Sequence, residues 1–137
     1  MKLRSITLSL LVLGSSIAAV APLAAHHSFS AEFDRAKPIT VRGYVTKIEW
    51  TNPHVWIFLD VKDASGKKTN WGFEMGPPHL LQSSGWNREK LALGDELIVD
   101  GSRAKNGSNK MNASTVKFAA TGISLTAASS QGQRGQE

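Results

Sequence analysis

The chain contains no cysteine. This excludes disulfides, thiolate-ligated zinc, a thiol nucleophile and the acylated cysteine of a lipoprotein. The short motifs of metal-free catalysis are missing too. No serine sits in a Gly-x-Ser-x-Gly elbow, and there is no phosphate loop or dinucleotide fingerprint. No two carboxylates stand at a local spacing suited to acid–base work, and no helical His-x-x-x-His pattern offers a zinc site. A dense Lys/Arg stripe and internal repeats are likewise absent. Enzymatic activity is therefore not expected unless a metal is bound.

The one long apolar run is at the start. Lys2 and Arg4 precede "ITLSLLVLGSSIAAV", which is short and broken by Ser and Gly, and "LAA" follows with small residues. That is the pattern of a cleaved secretory leader over residues 1–25, and it leaves no membrane anchor after processing. A cut after Ala25 places Leu23 and Ala25 at the recognition positions, whereas a cut after Ala24 would place Pro22 there. Removing 25 of the 137 residues leaves 112 and takes Lys2 and Arg4 with it, so the charge falls from +5 to +3. Such a chain is expected to be a single periplasmic domain held together by its core alone.

Beyond the leader, "HHSFSAEFDRAKP" (residues 26–38) reads as an extended arm carrying Phe29 and Phe33. "ITVRGYVTKIEW" then alternates. Ile39, Val41, Gly43 and Val45 supply one apolar face early, while Ile48 and Trp50 supply the other late, so a long strand must coil past Gly43 to serve one core. "TNPH" suits a type I turn. "VWIFLDVKD" and "TNWGFEM" are two strands around the loop "ASGKK". Pro77 and Pro78 open a short helix through Gln82 that Gly85 ends. "ELIVDGSRAK" and "NASTVKF" complete the set, joined by the Asn-Gly turn of "NGSN". From residue 119 the composition turns to Ala, Ser, Gly and Gln; "GISLT" offers a short edge strand, and the remainder reads as a disordered tail to residue 137.

The order β-β-β-α-β-β over residues 39–118 predicts an all-β fold with one short helix. The specific expectation is a small OB-like five-stranded Greek-key barrel, with another small antiparallel barrel or sandwich as the alternative. Barrels of this kind bind ligands on the face of strands 2 and 3 and on the adjoining loops.

"AHHSFSAEFD", "VTKIEWTNPHVWIFLDVKD", "NWGFE", "GW" and "GDELIVDG" together resemble a family of small exported bacterial proteins, a domain of unknown function. The strand order is similar, more distantly, to that of periplasmic bacterial OB-fold proteins. The resemblance implies export and a small barrel without an established activity. It singles out His26, His27, Ser28, Phe29, Asn52, Pro53, His54, Trp56, Trp71, Glu74 and Trp86; His79 is outside it.

Cleavage after Ala25 would give His26 a free α-amine, so that amine and imidazole can chelate one metal ion together. A second imidazole, from His27 or His54, would complete a nitrogen set suited to Cu(II) or Ni(II), which makes copper the candidate cofactor. The plain reading is a polar terminus that binds copper as any exposed His pair does. Asn52 and His54 stand on the rim of the expected binding face, or else satisfy backbone groups in the turn. Trp56 and Phe58 face outward if Val55, Ile57 and Leu59 fill the interior, and would pair with Trp71 or Phe73 across the hairpin. They then form either an exposed platform or a surface covered by Phe29 and Phe33. Glu74 is a carboxylate partner for His54, or a helix cap. Asn106 and Asn112 fall in glycosylation sequons and read as turn residues.

Three functions are compatible with this reading. One is a binding module using Asn52, His54, Trp56, Trp71 and Glu74 to hold a small molecule or a periplasmic protein. The second handles copper through His26, His27 and His54. The third binds single-stranded nucleic acid or another anionic polymer, against which export argues.

Overall fold

The computed structural model describes residues 29–129. The segment expected to be a leader, together with His26 and His27, lies outside the described residues. The elements run α1 (Phe29–Glu32), β1 (Phe33–Glu49), β2 (Trp56–Lys62), β3 (Lys68–Glu74), α2 (Pro78–Ser83), β4 (Glu96–Ala104), β5 (Lys110–Phe118) and β6 (Ser124–Thr126). This is a small all-β fold with two short helices.

β1 is long because it serves two partners. Pro38 to Tyr44 pair with β4, and Tyr44 to Glu49 pair with β2, both antiparallel. β2 pairs with β3, and β4 with β5. β3 then meets β5 in a short parallel pairing, so five strands follow one another in a closed ring of hydrogen-bonded neighbours. β6 adds to the outer edge of β5.

The two-faced pattern of β1 has a local cause. Val45 stands opposite Leu59 and Lys47 opposite Phe58, so Thr46 is an extra residue, a β-bulge. Before it Val41 and Val45 point into the core; after it the parity changes, and Ile48 and Trp50 pack there. The switch therefore falls at Thr46 and not at Gly43. Inside the ring Ile57, Leu59, Phe73, Leu97, Val99, Met111 and Val116 are fully buried. Each such aliphatic or aromatic side chain contributes about 1.5–3 kcal/mol by leaving water.

α2 begins as expected, with Pro77 at its N-cap and Pro78 in its first turn, and Gly85 beyond it has φ +90°. It buries Leu81, and the following Trp86 is buried with its indole N–H donating to the Thr126 carbonyl at 2.8 Å.

Two stretches differ from the sequence reading. Residues 29–38 are not an extended arm: α1 occupies Phe29–Glu32, and Phe33 is already part of β1, buried opposite Ala104. Between Phe33 and Pro38 the register slips, which leaves residues 35–37 exposed and lets a residue without an N–H enter the sheet. Residues 119–129 are ordered: they form β6 and then return to the core, where Ala127 and Ser129 are buried. The small side chains that look like low complexity are what permit this approach. The Gly76 N–H donates to the Ala127 carbonyl at 2.8 Å, and a Cβ on Gly76 would stand 2.0 Å from the Ala128 carbonyl oxygen.

Gly76→Ala is accordingly expected to destabilise the protein by roughly 1–3 kcal/mol, since backbone must move to admit the methyl group. A urea midpoint equal to that of the wild type would show that residues 127–129 do not pack as described.

Candidate functional site

Strand parity assembles the site. Trp56 on β2 is directly opposite Glu74 on β3, and the ladder continues past the strand ends, with Val55 N–H donating to Gly76 O at 3.1 Å and Met75 N–H to Val55 O at 2.9 Å. Residues alternate across a strand, so His54, Trp56 and Glu74 fall on one face. The parallel pairing of Glu74 with Asn112 brings β5 to the same place. Residues 51–55 enter β2 through a bend at Asn52 and Pro53, whose connecting peptide is cis.

The result is an open cleft of about 300 Å³ bounded by Glu32, Thr51, Asn52, Pro53, His54, Trp56 and Glu74. Glu74 is 7% exposed and Asn112 1%. His54 Nδ1 contacts Glu74 Oε1, with the His54 side chain one-third exposed. Asn112 supplies a further hydrogen bond to the Glu74 carboxylate. Burial pushes the Glu74 carboxyl above its ordinary value of 4.5; the charge of His54 and the Asn112 hydrogen bond pull it down, and the Glu32 carboxylate adds to the rise. The net direction is upward because taking a carboxylate out of water outweighs what its two partners return.

The cleft's aromatic wall continues along β2. Trp56 and Phe58 stack with centroids 6.3 Å apart, and Gly72 opposite Phe58 leaves the room they need: a Cβ there would lie 3.2 Å from the Phe58 ring. Lys110 Nζ sits 5.7 Å from the Trp56 ring centre and Lys47 Nζ 5.2 Å from that of Phe58. These rings are therefore lidded by cations. Phe29 and Phe33 instead stack on each other, 5.9 Å apart.

Of the residues expected to bind, Asn52, His54, Trp56 and Glu74 come together. Trp71 does not. It is opposite Leu59 and packs partly buried against the core, with Arg103 over its ring, and Phe73 opposite Ile57 is wholly internal. Neither pairs with Trp56 or Phe58, because β3 is in register to turn both inward. Asn106 is in the β4–β5 turn as expected, but Asn112 is a buried strand residue. Glu32, Thr51 and Asn112 were not legible as site residues. The available signal for Asn112 was an amide inside an otherwise strand-forming run, where asparagine is uncommon.

A larger hollow of about 440 Å³ lies over β1 and β4, between Arg35, Pro38, Asp100 and Ser114. Its one carboxylate, Asp100, already accepts hydrogen bonds from the Thr40 and Thr115 hydroxyls at 2.6 and 2.9 Å. The smaller cleft, where a buried carboxylate meets a partly exposed imidazole, is the better site.

A family model for proteins of unknown function matches residues 13–113. The chain belongs to this family, DUF6152. The match contains every residue of the DUF6152 cleft from Glu32 to Asn112 and stops within β5, before β6. No curated protein and no solved structure matches the chain.

The upward direction at Glu74 has a defined sign. A carboxyl whose folded pKa exceeds its unfolded one contributes stability that is complete below the unfolded value and is lost as pH rises through the folded value. Glu74→Gln removes that loss. The difference in melting temperature, variant minus wild type, should grow in the variant's favour from acid to neutral pH. Thermal melts across pH 4 to 8 that showed the reverse slope would refute a carboxyl raised by burial.

Proposed function

We propose that this protein is an exported, OB-like binding module whose ligand, a small molecule or a segment of a periplasmic protein, enters the cleft between the β1–β2 loop and the end of β3. The ring of pairings β1–β2–β3–β5–β4 with a helix after the third strand supports the OB-like reading. The observation that carries the functional reading is Glu74: a buried carboxylate, gripped by His54 and Asn112 at the floor of an open cleft beside Trp56. Structural economy alone would not place a charge-bearing group there, since its net electrostatic balance is unfavourable. A polar anchor beside an aromatic wall is the usual composition of a ligand site. The nucleic-acid reading is the weaker one: two carboxylates line the cleft, and they repel phosphate.

A second reading, copper handling through the histidine pair, is favoured by one specific feature. α1 begins two residues after His27, and its last residue, Glu32, lines the same cleft.

The first reading is tested by native mass measurement of the exported protein. A co-purifying ligand is expected, and Trp56→Ala or His54→Ala should weaken it by about tenfold or more; normal retention in both variants would move the site elsewhere. For the second, one equivalent of copper should bind tightly and His26→Ala should abolish it. A mature terminus that is shifted or acetylated, or indifference to micromolar copper, would end that reading.

A further inference from the structure

We propose that a small planar aromatic anion stacks on Trp56 and Phe58 with its charge against Lys110. This surface is the outer face of β2. It adjoins the cleft at Trp56 but does not need the His54–Glu74 pair, and so goes beyond the cleft reading.

Strand parity puts both rings on the outward face, since Ile57 between them and Leu59 beyond are fully buried. The rings lie within 22° of parallel, and both are only half-buried. Gly72 on β3 gives them their room: a Cβ there would stand 3.2 Å from the Phe58 ring and 3.5 Å from that of Trp56. What stands over the rings is cationic. Lys110 Nζ is 5.7 Å from the Trp56 ring centre and Lys47 Nζ 5.2 Å from that of Phe58, and both lysines are exposed. Their situations differ. Lys47 is ion-paired with Glu49 at 2.5 Å, whereas among the described residues no carboxylate forms an ion pair with Lys110.

Such ammonium groups are covers that a flat ligand displaces. An exposed cation–π contact shifts an equilibrium by about 2–5-fold. Stacking a flat ring on an aromatic side chain shifts it by about 5–150-fold. The ligand's ring therefore takes the aromatic surface, and the Lys110 ammonium, on its flexible stem, turns to the ligand's negative group. A neutral ring gains the stacking without that contact, and a cationic one meets Lys110 with repulsion. The same face limits the size of the ligand. Glu49 is opposite Trp56, and Asp60 stands two residues beyond Phe58 on the same side, so carboxylates flank the rings. A phosphate chain following β2 would run against both, while one carboxylate or sulfonate at Lys110 avoids them.

The probe is 2-naphthoate, compared by calorimetric titration with the neutral 2-naphthamide and the cationic 2-naphthylmethylammonium. For a ligand of this size a Kd of about 1 mM or tighter is expected, with the anion bound best and the cation least. In nitrogen-correlated NMR spectra the Trp56 indole N–H should shift on binding, and that of the buried Trp86 should not. Phe58→Leu keeps the apolar bulk without the ring and should weaken binding by about 5-fold or more. Lys110→Gln should reduce the preference for naphthoate over naphthamide by about 2–5-fold and leave the naphthamide affinity in place. Lys117→Gln makes the same change of net charge at the other end of β5 and should leave the preference intact. Absence of binding at several millimolar, or any order that does not put the anion first, overturns the proposal. So does an unmoved Trp56 indole together with unchanged affinity in Phe58→Leu. An intact preference in Lys110→Gln overturns the assignment of the charge. Tighter binding of oligothymidylate than of naphthoate, with a steep salt dependence, overturns the small ligand in favour of a nucleic-acid strand.

Discussion

Three residue pairs close the sheet of this protein: Gly72 with Lys110, Phe73 with Met111, and Glu74 with Asn112, where β3 and β5 run parallel. Every other pairing among the strands is antiparallel: β1–β2, β2–β3, β4–β5 and β5–β6 join consecutive strands, and β1–β4 joins the two halves of the sheet. The parallel contact is the second junction between those halves, joining strands separated by α2 and β4. It turns a sheet open along β3 into a ring, pairing the backbone at the end of β3 with that at the start of β5. It also has a chemical consequence. With β5 against it, the end of β3 is no longer an edge, and the side chain of Glu74 is shut between Trp56, His54 and Asn112.

The burial of Glu74 is therefore a product of closure, and it runs against stability. Its neighbours offset only part of the cost of desolvation, since the net effect is to favour the neutral acid. A glutamine could keep a hydrogen-bonding role in the same volume without that cost. What a carboxylate has that an amide lacks is charge, and the strength with which it holds an imidazole N–H. Proteins commonly give up stability in this way at the places where they bind or react.

Much of the architecture could be read from residue order alone. Alternation in "VWIFLDV" placed Val55, Ile57 and Leu59 inside, and the Pro-Pro and Gly85 signals bounded α2, because these features are local and depend on periodicity or backbone chemistry. The two-faced character of β1 was visible, but its hinge was misplaced by three residues, since a bulge at Thr46 carries no side-chain signature whereas a glycine does. The inward turn of Trp71 depends on the register of β3 against β2, which is a pairing property. The order in residues 119–129 depends on a glycine more than forty residues earlier, whose bare backbone accepts Ala127 and Ala128. Small residues look featureless until the surface that needs them is known.

The site divides along the same line. His54, Asn52 and Trp56 are neighbours in one short block and were found together. Glu74 could be linked to His54 only as one of two readings, and Asn112 and Glu32 not at all, because each reaches the cleft through long-range pairing or the packing of α1.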